Sequence, residues 1–147
     1  MNTVWNRARL LITTAWVGSA WTIGYLVAPT LFKTLADSTL AGTIAGQLFA
    51  VEAWVSLICG GVLLAIGKAQ GQKLSWRIMT MVLCTIIGYF GLHPLMAQLR
   101  IAGLTNPDVK WQFGLLHGLS SGIYLLQSIL GAMLVLDRLE PKPSEGQ

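Results

Sequence analysis

Four stretches of this chain are almost free of charge, and each is long enough to cross a lipid bilayer. Leu10–Phe32, Thr43–Gly67, Ile78–Leu99 and Phe113–Leu136 run for 23, 25, 22 and 24 residues and share a single formal charge, Glu52. A helix needs about 20 apolar residues to traverse a hydrocarbon core about 30 Å thick. In lipid the backbone must satisfy its own polar groups, which helices and closed barrels alone achieve. A barrel strand would alternate apolar and polar residues over about ten positions, and none of the four stretches does. The expected fold is all-α: an integral membrane four-helix antiparallel bundle, with helices at about 10–32, 43–67, 78–99 and 113–136 in one domain covering 1–147.

Composition agrees and narrows the function. Charged residues make up 11% of the 147 and hydrophobic ones 54%, against about 25% charged in an ordinary soluble domain. So few charges cannot clothe a soluble globule, which excludes a soluble enzyme, a disordered chain and a nucleic-acid-binding domain. The two cysteines, Cys59 and Cys84, lie in apolar stretches and suggest neither a disulfide framework nor a zinc knuckle.

The net charge of +4 reports topology. Arg7, Arg9, Lys68, Lys73, Arg77, Arg138 and Lys142 fall on one side of the expected bundle, and Lys33, Arg100 and Lys110 on the other. The positive-inside rule places the richer side in the cytoplasm, so both termini are expected there and loops one and three outside. Arg7, Arg9 and the small residues Gly18-Ser19-Ala20 imitate a signal peptide, but the apolar run continues unbroken to Phe32. Asp37-Ser38 and Thr105-Asn106-Pro107-Asp108 read as helix starts. The tail 140–147, with Pro141, Pro143 and Gly146, reads as disordered. No internal repeat stands out.

Polar residues inside apolar helices mark function by default. Helix two carries Glu52 with Ser56 and Cys59 on its face; helix three carries Tyr89, His93 and Met96; helix four carries His117, Ser120, Ser121, Tyr124, Gln127 and Ser128; helix one presents Tyr25. Helical spacing turns these stripes into the bundle. At 1.5 Å per residue, His117 lies about 6 Å, His93 about 9 Å and Glu52 about 14 Å from the outer ends of their stretches. His93, His117, Glu52 and Met96 are therefore candidate metal or haem ligands in one outer-half pocket, with Tyr25, Tyr89, Ser120, Ser121, Tyr124 and Gln127 as its polar wall. Each residue also has a plainer reading: Glu52 as a protonated carboxyl bonded to a neighbour, either histidine as interhelical glue, and the cysteines as small apolar fillers. Gly42, Gly46, Gly114, Gly118 and Gly122 read as helix-packing positions. Trp5, Trp76 and Trp111 read as interfacial anchors, and Pro29 and Pro94 as kinks. No nucleotide loop, nucleophile elbow or metalloprotease motif is present, which leans away from an enzyme.

Ala15-Trp16-Val17-Gly18 leading to Tyr25-Leu26-Val27-Ala28-Pro29-Thr30-Leu31-Phe32 resembles the first helix of small bacterial proteins in domain of unknown function 4149, the bacterial relative of the eukaryotic transmembrane protein 205. Ala41-Gly42-Thr43-Ile44-Ala45-Gly46, Leu92-His93-Pro94 and His117-Gly118-Leu119-Ser120-Ser121 extend the resemblance along nearly the whole chain, the last being the most specific. It implies a bacterial inner-membrane, multi-pass protein. More distantly the pattern is similar to the copper-resistance D domain and the J-type protoporphyrinogen oxidase, which imply histidine ligation of metal or haem. Against the oxidase pattern, helix one carries no histidine and helix two offers Glu52 in place of a basic residue.

Three readings follow. The first is a non-enzymatic protein that binds or passes a metal ion such as copper through His93, His117, Met96 or Glu52. The second is a haem b protein with His93 and His117 as axial ligands and Gly88, Gly91, Gly114 and Gly118 making room for the ring. The third is an accessory subunit whose partners, beyond the lipid bilayer, are a second copy or another membrane protein.

Overall fold

The computed structural model describes residues 2–139; the stretch 140–147, expected to be disordered, lies outside them. Among the described residues there is no strand, and four helices are long and apolar enough to span a membrane: Thr3–Thr34, Ser38–Ala69, Trp76–Ala102 and Pro107–Asp137. We call them helices one to four. Each runs past the ends of its apolar stretch, carrying the exposed rings of Trp5, Trp76 and Trp111 near the termini of helices one, three and four, where amphipathic rings favour the membrane–water boundary.

The turns follow local chemistry. Asp37 Oδ1 accepts hydrogen bonds from the Thr39 and Leu40 amides at 2.8 and 3.2 Å, satisfying two of the unpaired donors at the start of helix two. At its far end Gly71 takes φ +67°, the Gln72 amide reaches back to the Gly67 carbonyl, and the Gly71 amide to Lys68. Glycine alone adopts that backbone without strain. Gly103, at φ +98°, likewise takes a positive φ where helix three ends. Asn106 Oδ1 then accepts from the Asp108 amide at 2.9 Å as helix four begins.

Helices one and three are not uniform. Thr22–Val27 and Ile86–Leu92 are π-helical, and each is followed within two residues by a proline, Pro29 and Pro94. A proline ring collides with the carbonyl four residues back. The amides just before the prolines, Ala28 and His93, reach back five residues, to the Ile23 and Gly88 carbonyls. The widened turn absorbs the clash and marks a special position.

These two segments share a sequence, Ile23-Gly24-Tyr25 and Ile87-Gly88-Tyr89. The helix after each begins with the same glycine spacing, Gly42 and Gly46 in helix two, Gly114 and Gly118 in helix four. The chain thus contains two similar helical hairpins running in the same sense, a repeat that no long identical run betrays. Their arrangement matches: helices one and three each pack against helices two and four, and no diagonal pair of backbones meets among the described residues.

The two ends of this four-cornered bundle differ. Toward the termini and loop two, Trp16, Val17, Leu63, Ile78, Met81, Leu130 and Leu134 form a closed core drawn from all four helices. Trp16 is fully buried, and its Nε1 donates to Ser56 Oγ at 2.8 Å. Arg9 Nη1 donates to the side-chain oxygens of Gln70 and Gln72, tying helix one to loop two, while Arg77 pairs with Asp137 across helices three and four. Toward loops one and three the helices part around a cavity.

Candidate functional site in the bundle cavity

Beyond the Trp16–Ser56 bond the interior opens into a cavity of about 690 Å³ lined by all four helices. Its opening follows from the side chains: helix two presents Gly42, Ala45, Gly46 and Ala53 to it, and helix three presents Gly88, residues too small to fill the centre.

Helix two provides a ruler from mouth to floor. At the mouth the Arg100 guanidinium lies against Gly42, where a Cβ would sit 2.9 Å from Nη1, and over the Phe113 ring at 5.6 Å. One turn deeper, His93 Nε2 lies 3.2 Å from the position a Gly46 Cβ would take. The His93 ring stacks on Tyr89, centroids 5.1 Å apart. His117 stacks on Phe113 at 6.1 Å, so Phe113 carries both His117 and Arg100. Glycine at 42 and 46 is thus explained by close approach: a methyl group would press into the two cationic or imidazole heads that reach across from helix three.

The floor is polar and aromatic. Glu52 is 4% exposed; its Oε1 accepts from Ser56 Oγ at 3.4 Å, and its Oε2 has no hydrogen-bond partner among the described residues. Ser19 is the other hydroxyl near this carboxyl, but its own bond goes to the Trp16 carbonyl at 2.9 Å. Around Glu52, Tyr124 packs edge-on against Tyr25 and Phe49, centroids 5.8 and 5.6 Å away. The Tyr25 hydroxyl donates to Ser128 Oγ at 2.9 Å, Tyr124 Oη donates to the Ala20 carbonyl, and Gln127 Nε2 donates to Thr85 Oγ1 at 3.2 Å. Gly24 is small because the Tyr124 ring occupies the space where its Cβ would be.

All ten expected ligand and wall residues, Glu52, His93, Met96, His117, Tyr25, Tyr89, Ser120, Ser121, Tyr124 and Gln127, line this one cavity, as do Gly42 and Gly46. Gly114, Gly118 and Gly122 do not; a Cβ on any of them meets nothing within 4 Å among the described residues. Of the four glycines expected to make room for a porphyrin, Gly88 alone is on the cavity wall; Gly91, Gly114 and Gly118 are not. Arg100, Phe113, Phe49 and Thr85 join the wall beyond the residues expected there. Helical spacing carries the signal for three of them: Arg100 lies seven positions from His93, Phe113 four from His117, and Phe49 three from Glu52, each on the face already identified.

The arrangement suits binding. No group of three His, Cys, Asp or Glu side chains converges among the described residues, which a closed metal centre would need. A volume of several hundred Å³ with an apolar wall and a few convergent polar groups is characteristic of sites for small organic molecules.

A family model described as Domain of unknown function (DUF4149) matches residues 11–105 of the chain. The match takes in helices one to three and stops in loop three, short of the His117 motif and Tyr124. No curated protein and no solved structure matches the chain.

Proposed function

The chain belongs to the Domain of unknown function (DUF4149) family, and since that description carries no activity, we propose a function from the site: this multi-pass membrane protein holds a small organic ligand, without chemistry of its own, in the cavity between its four helices. The observation that carries the reading is the meeting of polar side chains from all four helices around about 690 Å³ of open space inside an apolar bundle. Unpaired polar groups are costly at membrane depth, and a ligand would satisfy them. The lysine and arginine distribution supports both termini in the cytoplasm, so that the cavity faces outward, and the family resemblance implies a bacterial inner membrane.

The test is to fill the space. Gly88 lines the cavity and a Cβ there meets nothing within 4 Å, so Gly88→Leu extends into the void without displacing a neighbour. Native mass spectrometry of the wild-type protein should show a bound small molecule that Gly88→Leu loses while its helix content is retained. Equal retention by the variant would count against the reading.

A second reading, a haem b protein, is supported by His93 and His117 reaching the same cavity from different helices. Haem bound there would be held by the imidazoles of His93 and His117 and would supply one-electron redox chemistry. It predicts a Soret band in the purified protein that either His93→Ala or His117→Ala removes; a colourless protein sinks it. The metal-ion reading has less support, since its histidines stack on separate aromatic rings and gather no third donor of the His, Cys, Asp or Glu type among the described residues.

A further inference from the structure

We propose that Glu52 is the binding residue for an organic monocation, which takes the place of the carboxyl proton when it enters the cavity. The inference rests on the cavity being a ligand site and names the ligand's chemical class.

The argument begins with charge. A carboxylate at membrane depth needs a countercharge, because removing a lone ion from water costs several kcal/mol that no surrounding dipole fully returns. Among the described residues no lysine or arginine is paired with Glu52. The ion pair found among the described residues, Arg77–Asp137, is at the opposite end of the bundle. The one cation on the cavity wall, Arg100, packs on Gly42, ten residues and therefore about 15 Å along helix two from Glu52. With no lysine or arginine beside Glu52 among the described residues, its countercharge comes from outside the protein, as a proton or as a cation, and the two histidines on the wall are separated from it by the test below.

The surroundings select an organic cation. Oε2 is free of protein partners among the described residues, in a side chain 4% exposed that lines the void. A bare metal ion would call for further carboxylate, imidazole or thiol donors that do not converge here. Phe49, Tyr25 and Tyr124 instead bring three rings to the same floor, Tyr124 packed edge-on against each of the other two. Aromatic faces attract quaternary and other organic cations, most strongly where water is excluded. The cavity of about 690 Å³ beside them has room for a molecule of several rings.

The exchange balances. On binding, the O–H bond of the Glu52 carboxyl breaks, its proton leaves into water at the cavity mouth, and the cation takes the carboxylate as its counterion. The site keeps the same net charge before and after. The other titratable groups facing this space are Tyr25 on helix one, Cys84, Tyr89 and His93 on helix three, and His117 and Tyr124 on helix four; Cys59 on helix two feels the Glu52 charge but packs against the closed core. The phenols and thiols are uncharged in neutral solution. The histidines are the groups that could mimic the proton release, and the test must separate them from Glu52.

The full chain is reconstituted in nanodiscs of zwitterionic lipid and titrated calorimetrically with tetraphenylphosphonium, with triphenylphosphine oxide as the uncharged counterpart. Buffers of different ionisation enthalpy give the number of protons released. The expected result is binding of the phosphonium with release of close to one proton and an affinity that rises with pH, by up to about tenfold per unit while the carboxyl is protonated. Glu52→Gln should weaken the phosphonium by at least about tenfold, a change of about 1.4 kcal/mol, and abolish proton release. Glu52→Asp should keep both, which guards against misfolding as the cause, and His93→Gln and His117→Gln should each leave the proton count unchanged. Undiminished binding to Glu52→Gln, or binding without proton release, overturns the proposal. If the oxide and the phosphonium bind equally well to wild type and Glu52→Gln, the cavity stands as a ligand site and the cation assignment falls. If neither probe binds the wild type, both fall.

Discussion

At the residue scale the glycines separate packing from vacancy. A Cβ on Gly60 would overlap Val82 Cγ2 and reach the Trp16 ring at 3.6 Å, whereas one on the adjacent Gly61 meets nothing within 4 Å. Val82 is β-branched and has little rotamer freedom in a helix. Gly60→Ala should therefore cost about 1–3 kcal/mol through overpacking, while Gly61→Ala should be neutral or stabilising by less than about 1 kcal/mol through helix propensity. Reversible unfolding in mixed micelles would compare them, and equal stabilities would mean that helices two and three approach less closely than described. Trp16 is the other sensitive position. Its indole joins the closed core to Ser56 and through Ser56 to Glu52. Trp16→Phe keeps most of the ring volume and removes the donor. The expected loss is about 0.6–1.7 kcal/mol, the range of interhelical hydrogen bonds in membranes, measured in the same assay.

At the element scale the two π-helical segments set where side chains point. One extra residue per turn rotates everything beyond it by about 100° relative to an unbroken α-helix. That rotation helps bring Phe32, beyond the first segment, and His93, Met96 and Arg100, beyond the second, onto the wall of one cavity. If the prolines cause the widening, Pro94→Ala should let the segment tighten, and amide hydrogen exchange across Ile86–Leu92 should slow. Unchanged exchange there would assign the π-turn to packing by the neighbouring helices. Proline is legible as a kink at both positions; the π-turn is not, because residues 22–27 and 86–92 carry ordinary apolar sequence whose period looks α-helical. The repeated Ile-Gly-Tyr is visible too, but three residues carry weight only once both copies are found in matching turns.

At the scale of the whole molecule, one end is closed and the other hollow, and both ends are built from the same four helices. Trp16, Leu63, Met81 and Leu134 fill the first, while small residues and inward polar heads line the second. With both termini expected in the cytoplasm, a C-terminal green fluorescent protein fusion should fluoresce and a C-terminal alkaline phosphatase fusion should be inactive. The opposite pattern would place the cavity on the cytoplasmic side. How much of this the sequence determines by itself follows from what lipid demands of a backbone. Charge-free length specifies helices, and their number and class can be read directly. Helical period specifies which face each polar residue occupies, so Glu52, His93, His117 and Tyr124 fall into one group on spacing alone. Tertiary structure decides the rest, because spacing along one helix says nothing of the gap to the next. It leaves open space where a Cβ on Gly114, Gly118 or Gly122 would sit among the described residues, sets Arg100 against Gly42, and gives His93 and His117 separate aromatic supports. It also leaves one oxygen of Glu52 buried without a hydrogen-bond partner among the described residues, in a side chain that lines the cavity, a fact about distances between helices that no single helix encodes.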